Sequence, residues 1–411
     1  YNAIQSLIWP GTANVYVAIV HITKFKYVGN YYLEGKMVRR ISSFLDDGEV
    51  NSKPELIRSN ENIGFQGLIP LGDGFFVDLS VANELLGDGK SQEVLYKFYN
   101  GKIFYSSPDL DSNLWIINFG ERDIKQAEKY PKCFSILYKQ IYKNLAPKQL
   151  QDRPNWWRFW RSRPELQKAI NKLDRVLVTA FTSSTFAFAF LPTNTVCSNA
   201  LVIFAMDGYD DFSVMQSGLH YAWVIKYAST MKTDLRYTPT DCFQNFPFPK
   251  SQSNLIRIGS EYYHHRMNLM KESQEGLTNT YNRFHNPKEK SADYVHLREL
   301  HVEMDNAVAA AYGWSDLELG HGFHETPQGV RFTISETARR EVLSRLLQLN
   351  HERYEEEVRQ GLHEKDKKKT KAEQPARQKP KKLAQPEGQM NLLAEPEVSD
   401  DVEPVEALPP T

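Results

Sequence analysis

The sequence predicts a mixed α/β and α+β protein that continues into a helical C-terminal region. Short apolar runs at Asn14–Ile22, Leu114–Phe119 and Asn199–Met206 are typical of buried strands, and turns and helical spacings separate them. From Leu255 to Leu362 the apolar residues recur instead at helical spacing within long charged segments. A chain of 411 residues is long enough for two or three such domains.

Residues 1–45 contain the first predicted strand. Asn14–Ile22 is rich in β-branched residues and largely apolar, which favours a strand buried on both faces. Gly29 and Asn30 predict a turn, and Tyr31–Arg40 is expected to return as the second strand of a hairpin. Because a hairpin cannot be a domain alone, we expect it to complete a sheet whose other strands precede Tyr1.

Residues 46–250 indicate a second, mixed α+β block. Helical spacing predicts helices over Glu93–Tyr99 and Ile124–Lys143, and Leu114–Phe119 predicts a strand. The alternation of Phe186, Phe188 and Phe190 predicts another strand with one aromatic face, and Gly208–Asp211 predicts a turn.

The stretch Ser217–Pro249 closes this block. Leu219, Trp223 and Tyr227 share one helical face, whereas His220 lies off that stripe. Three prolines, the first at Pro239, predict extended backbone after about Arg236. The stretch is therefore interpreted as a core helix followed by a stiff exit.

Residues 251–361 predict three long helices, at Asn254–Glu275, Val295–Tyr312 and Ser335–Val358, with Ser335 as an N-cap. The charged segment Asn350–Glu357 is interpreted as a solvated helix end. Residues 362–411 are highly charged with few large apolar residues, which predicts a disordered tail.

Charge and cysteine content narrow the class of protein. Lys and Arg number 50 against 51 Asp and Glu, so any basic surface must be local. Cys133, Cys197 and Cys242 are far apart and follow no metal-ligand spacing, which is typical of reduced core residues in a cytoplasmic protein. No apolar run reaches about 18 residues and no signal peptide leads the chain, so we expect no membrane segment.

The stretch Arg153–Leu166 is the strongest candidate for a binding function. It contains three tryptophans and four arginines in fourteen positions. Guanidinium groups bind phosphates and guanine edges, and indoles stack on bases or brace the arginines. An alternative remains open, in which the tryptophans are core residues and the arginines are solvated or paired to nearby carboxylates.

Catalytic motifs are missing from the sequence. It has no Gly-x-Gly-x-x-Gly or Walker phosphate loop, no His-Glu-x-x-His and no paired cysteine motif. His264 and His265 are adjacent, so they point to different faces of a helix and do not predict a metal site. The chain therefore resembles a recognition module, with no catalytic residue and no metal.

An ordered set of motifs resembles the target-recognition and C-terminal portion of MmeI-like DNA adenine methyltransferases, found in type IIL and IIG restriction–modification and related phage-defence enzymes. The motifs are Trp9–Val15, Gly74–Phe76, Asn155–Trp157, Arg163–Leu166, Gln216–His220 with Trp223, Tyr237–Thr240, Phe246–Pro249 and the element from Tyr312–Trp314 to Asn350. They span about residues 1–358 in family order.

The resemblance implies an S-adenosylmethionine-dependent enzyme with a Rossmann-like catalytic sheet and an Asn-Pro-Pro-aromatic loop that holds a flipped adenine. Neither the cofactor loop nor that loop occurs in this sequence. The resemblance therefore supplies no catalytic or cofactor-binding residue here, and S-adenosylmethionine is expected to bind a part that precedes Tyr1.

The expected domains are the last strands of the methyltransferase sheet (1–45), the target-recognition domain (46–250), the helical region (251–361) and the tail (362–411). The expected partner is double-stranded DNA. The candidate DNA contacts are Arg153, Trp156, Trp157, Arg158, Arg161, Arg163, Ser183, Ser184 and Arg236.

The tail contains a further candidate binding motif, and an alternative function is also considered. In the tail, Gln389, Leu392 and Leu393 resemble a bacterial sliding-clamp binding peptide. The alternative function is a non-catalytic DNA specificity subunit that acts with a separate methyltransferase chain.

Overall fold

A computed structural model describes residues 1–8, 16–41, 45, 53–70, 72–231, 234–326 and 328–363. The motif at Trp9–Val15 and nearly all of the predicted tail, with its clamp-like peptide, lie outside these described residues. Within the described ranges, no helix is both long and apolar enough to span a bilayer.

The first four strands form one small sheet in the order β2-β1-β3-β4. Its strands are β1 (Asn2–Ile8), β2 (Tyr16–His21), β3 (Tyr31–Leu33) and β4 (Lys36–Val38). The predicted strand at 14–22 is confirmed as β2, but the predicted hairpin is wrong. β3 pairs with β1 in parallel and turns into β4 through Glu34 and Gly35, both at positive φ. Burial on both faces is also wrong, because Val20 is 45% exposed.

Three further sheets follow in residues 64–236. The strands are β5 (Gly64–Gln66), β6 (Phe76–Val77), β7 (Leu95–Tyr99), β8 (Trp115–Ile117), β9 (Arg175–Ala180), β10 (Thr182–Ser183), β11 (Ala189–Pro192), β12 (Thr195–Cys197), β13 (Leu201–Phe204), β14 (Ser229–Met231) and β15 (Asp234–Arg236). The sheet orders are β11-β9-β13-β5, which is antiparallel throughout, then β12-β7-β8-β6, which is mixed, and β10-β15-β14.

Helices cover these sheets and make the block α+β, as predicted. They are α1 (Leu79–Leu86), α2 (Gly101–Ser106), α3 (Ile124–Ala127), α4 (Pro131–Gln140), α5 (Pro147–Asp152), α6 (Pro164–Ile170), α7 (Tyr209–Gln216) and α8 (Gly218–Tyr227). The helix predicted over Ile124–Lys143 is present as α3 and α4, and Pro131 begins the second of them. The strands predicted at Leu114–Phe119 and Asn199–Met206 are confirmed as β8 and β13.

Two local predictions in this block are wrong. Glu93–Tyr99 contains strand β7 in place of a helix, because β7 lies between β12 and β8 and its ladder partners override the helical spacing. Gly208–Asp211 is the start of a helix in place of a turn, because Gly208 is the N-cap of α7.

The segment Ser217–Pro249 follows its prediction at the start and departs from it later. Ser217 caps α8, and Leu219 and Trp223 are fully buried, as the apolar stripe predicted. His220 is fully buried as well, because other elements cover that side of the helix. The helix ends at Tyr227, and Pro239–Phe243 forms a π-helical turn in which the proline occupies the first turn, where its missing N–H costs no hydrogen bond.

The three long C-terminal helices are confirmed as α9 (Ile256–Ser273), α11 (Ala292–Ala311) and α12 (Glu336–Arg359). A shorter helix, α10 (Leu277–Phe284), and a hairpin of β16 (Gly322–Thr326) and β17 (Gly329–Thr333) complete this region. Ser335 caps α12 by accepting the Ala338 N–H, as expected.

The prediction of a solvated helix end at Asn350–Glu357 holds for Glu352, Glu355 and Glu356, which are exposed, and is wrong for Asn350 and Glu357, which are buried. Asn350 is fully buried, and its side chain exchanges two 2.8 Å hydrogen bonds with the backbone of Glu55. Glu357 accepts the backbone N–H groups of Arg58 and Ser59. These polar side chains tie the last helix to the segment that precedes β5.

Arg266 of α9 links the C-terminal helices to α7 and to the segment that precedes β11. It is fully buried, and it donates to Phe188 O at 2.7 Å, to the Tyr281 hydroxyl at 2.9 Å and to Gln216 Oε1 at 3.2 Å. A buried charge is tolerated only with such a set of acceptors.

Candidate nucleic-acid interface

Backbone pairing brings distant parts of the chain to one end of the sheet β11-β9-β13-β5, where β9 and β5 end and β13 begins. Arg161 forms an antiparallel bridge with Ile69, and Leu68 forms a parallel bridge with Ser198. Two further contacts continue from Ser198: the Phe181 N–H donates to Ala200 O at 2.8 Å, and Thr182 pairs with Arg236. We call these backbone segments, 160–162, 66–69, 198–200, 181–184 and 235–236, the edge strip.

The edge strip depends on one glycine. A Cβ atom at Gly67 would overlap the backbone of Cys197 and Ser198, so only glycine permits this close approach. Four pairing steps therefore connect the segment of Arg161 to the segment of Arg236.

Two of the predicted contact residues are core residues. Trp156 and Trp157 are 5% and 6% exposed. Trp156 packs against Phe134 and Tyr142, and the Trp157 indole N–H donates to Arg122 O at 3.0 Å. Their indoles are enclosed by protein, so the core interpretation that the sequence left open holds for both.

The arginines of this loop divide by their partners. Arg158 donates to Arg122 O at 2.9 Å and Glu121 O at 2.6 Å, which makes it a brace between two loops. Arg163 is the N-cap of α6 in a left-handed conformation, with Glu165 at 3.9 Å. Arg153 lies half-buried at the end of α5.

Arg161 and Arg236 differ from the other arginines of the candidate set. Both side chains are exposed, and neither has a carboxylate partner among the described residues. The Arg236 guanidinium lies 5.1 Å from the Phe181 ring centroid, which orients it without neutralising its charge. Ser184 is exposed in the segment that follows Thr182, and Ser183 Oγ accepts the Thr185 N–H at 2.9 Å.

The edge strip also has a residue that sequence reasoning passed over, Trp160. Its side chain is 61% exposed, in contrast to the other two tryptophans of the loop. Composition cannot separate the three indoles. Only the structure separates them, because it buries Phe159 and leaves the neighbouring Trp160 exposed.

His220 is a buried residue that contacts the segments carrying Ser183, Ser184 and Arg236, and the sequence did not indicate this role. It packs against Phe186 and Phe188, which follow Ser183 and Ser184 in the chain. Its Nδ1 lies 2.8 Å from Met215 O and its Nε2 lies 3.1 Å from the hydroxyl of Tyr237, the residue after Arg236. Burial lowers the pKa of His220 to about 4, so the ring is neutral, donating from Nδ1 and accepting at Nε2.

The chemistry available on the strip is that of recognition. Its segments carry two arginines and the polar side chains of Gln66, Ser184 and Asn199, and they contain no aspartate or glutamate. Guanidinium, amide and hydroxyl groups bind phosphates and base edges. Among the residues that the structure describes, no group of three or more His, Cys, Asp or Glu side chains is arranged to hold a metal ion.

Residues 88–250 match the family model described as "MmeI, target recognition domain". The family resemblance of the sequence is thereby confirmed.

Two known proteins extend the likeness beyond that domain. DNA methyltransferase A of Bacillus subtilis (strain 168) is 23% identical over 330 residues, which cover 77% of this chain and 36% of the relative. The solved structure of the type IIL restriction–modification enzyme MmeI in complex with DNA matches with a TM-score of 0.56 and 16% identity, over 86% of this chain and 46% of that one. The mixed fold is thus confirmed, and the chain spans less than half the length of either protein.

Proposed function

We propose that this chain is the C-terminal portion of a site-specific DNA (adenine-N6) methyltransferase and that it reads the DNA target for S-adenosylmethionine-dependent methylation in restriction–modification or phage defence. The observation that carries the proposal is the match of residues 88–250 to a target recognition domain model, together with Arg161 and Arg236, which have no carboxylate partner in the described part of the chain. Homology to a protein named DNA methyltransferase A supports the reaction class.

The proposed roles of the parts of the chain follow from the chemistry of adenine methylation. Adenine N6 is out of reach inside a duplex, so the base is extruded at a cost of a few kcal/mol. A recognition domain must hold the flanking DNA while this happens. In this proposal residues 1–45 end the catalytic sheet, residues 46–250 read DNA, residues 251–361 support them, and S-adenosylmethionine binds the part that precedes Tyr1.

Phosphate and base contacts are assigned to Arg161, Arg236, Ser183 and Ser184, with Arg153 and Arg163 at the margin. An arginine on phosphate raises affinity for every sequence, and an arginine on a base edge selects sequence. The clamp-like peptide at Gln389, Leu392 and Leu393 remains a separate proposal for contact with a sliding clamp.

The first experiment measures binding of this chain to a labelled duplex by fluorescence anisotropy over a range of salt concentrations. Arg161→Ala and Arg236→Ala should each weaken binding and, for a phosphate contact, lower the salt slope by about 1. Arg257→Ala is the matched control, because Arg257 is an exposed arginine paired to Glu261 and Glu303 on α9 and α11. Failure of the unmodified chain to bind duplex DNA at low salt would overturn the proposal.

The second experiment tests the reaction itself. Methylation-sensitive sequencing of the host genome with and without the gene should reveal N6-methyladenine at one short sequence. Arg161→Ala or Arg236→Ala should reduce or shift those sites if the residue reads a base. If methylation requires a second, separately encoded chain, the specificity-subunit alternative is correct.

A further inference from the structure

The backbone on both sides of Trp160 is anchored, while its indole is exposed. On one side, Phe159 is buried and meets Phe75 edge-to-face with ring centroids 5.0 Å apart. On the other side, Arg161 and Ile69 exchange backbone hydrogen bonds of 3.1 and 3.3 Å. The backbone on both sides of Trp160 is therefore anchored, so its indole projects from a fixed base.

The indole itself has no partner in the described part of the chain. No ring contact or hydrogen bond involves it, and 61% of its surface is exposed. In the same loop, Trp156 and Trp157 contact one another edge-to-face and fill the core. Two indoles of the loop are therefore packed in the core, and the third is exposed.

The chemistry around Trp160 favours a nucleic-acid base over an apolar protein surface. Its neighbour Arg161 is an exposed cation without a carboxylate partner among the described residues, and Glu121, whose carboxylate accepts the Ser162 hydroxyl, is also paired to Arg158. An aromatic face beside an unneutralised guanidinium is the combination that binds bases together with their phosphates. Because its backbone is anchored and its side chain has only two torsion angles, Trp160 also loses little conformational entropy on binding.

We propose that Trp160 stacks on an unstacked base of the bound DNA and so stabilises the opened duplex beside the site that the strip reads. This inference rests on the proposed function and deepens it, since it assigns one residue to the opened state of the DNA. In intact B-DNA every base face is covered by its neighbours, so this contact forms only where the stack is interrupted.

The test uses this chain with three labelled probes, namely an intact duplex, the same duplex with a single abasic site, and single-stranded oligothymidine. The unmodified chain should prefer the abasic duplex over the intact one, because the cost of unstacking is already met there. Trp160→Ala should lose about tenfold in affinity for the abasic duplex and for oligothymidine, and the preference for the abasic site should disappear. Trp160→Phe should retain part of both.

Two readouts separate stacking from charge and from folding. Trp160→Ala should leave the salt slope unchanged, whereas Arg161→Ala lowers it. Indole fluorescence should be quenched by the abasic duplex in the unmodified chain and much less in Trp160→Phe. Phe25→Ala removes an aromatic ring that is 84% exposed outside the strip, and it should alter none of these values.

Each outcome bears on one proposal. If the unmodified chain binds no DNA, the proposed function fails. If it binds and Trp160→Ala keeps its affinity, its abasic preference and its quenching, only the role of Trp160 is overturned. If Trp160→Ala leaves DNA binding intact and instead abolishes self-association, the indole is a protein contact and the inference is wrong.

Discussion

Acid should weaken the fold through His220. Burial lowers its pKa from an ordinary 6.5 to about 4, although its bond to Met215 O acts in the opposite direction. Between these values the unfolded chain binds a proton that the folded chain does not, so the free energy of unfolding falls as the pH is lowered. The contribution is about 3 kcal/mol, fully present above pH 6.5 and lost by about pH 4, with about 2 kcal/mol already lost at pH 5.

The structural consequence should appear first around the edge strip. A protonated ring cannot accept the Tyr237 hydroxyl, and a charge would face the rings of Phe186 and Phe188. Phe186, Phe188 and Tyr237 lie close in the chain to Ser183, Ser184 and Arg236, the residues proposed to contact DNA. As the pH is lowered, DNA affinity should therefore decrease at a higher pH than the one at which the whole chain unfolds.

The assay is urea unfolding followed by tryptophan fluorescence at a series of pH values from 7 to 4. His220→Gln removes the titrating group, so its unfolding free energy should depend on pH by about 3 kcal/mol less than that of the unmodified chain, whatever its stability at pH 7. His296→Gln, at an exposed position on α11, is the matched control for loss of an imidazole. Burial also lowers the pKa values of His285 and His301, and both remain in each variant, so the difference isolates His220. The same pH dependence in His220→Gln and the unmodified chain would refute the reasoning.

Two substitutions test the connections between elements. Asn350→Leu leaves the backbone N–H and C=O of Glu55 unpaired, so the free energy of unfolding should fall by about 2–3 kcal/mol. Gln348→Leu, on the exposed side of the same helix, is the control and should change it little. Equal effects of the two substitutions in urea unfolding would contradict this prediction. Gly67→Ala forces the strip apart at Ser198, so we expect about 1–3 kcal/mol of destabilisation and weaker DNA binding by anisotropy; unchanged affinity would show that the close approach is dispensable.

Long local patterns were predicted well. The three C-terminal helices follow from apolar spacing over many turns, and Ser335 was identified as a cap from its own segment. The strands β8 and β13 follow from short apolar runs. Such features depend on the residues within one element, which the sequence displays directly.

Other features depend on partners far away in the chain. The run Glu93–Tyr99 has helical spacing and nevertheless becomes β7, because β12 and β8 offer it a ladder on both sides. Asn350 and Glu357 have the composition of a solvated helix end, yet they are buried against residues 55–59. The structure alone decided these placements, since the partners are separated by long stretches of sequence.

The candidate site shows the same division. An ordered set of motifs predicted a resemblance to MmeI-like proteins, and the match of residues 88–250 to the MmeI target recognition domain model agrees with it. Which of the candidate residues face a ligand was decided by tertiary structure: Trp156, Trp157 and Arg158 are used internally, whereas Trp160, Arg161 and Arg236 remain accessible on one strip. The physical reason is that burial and strand pairing arise from contacts between distant segments, and no periodicity within one segment specifies them.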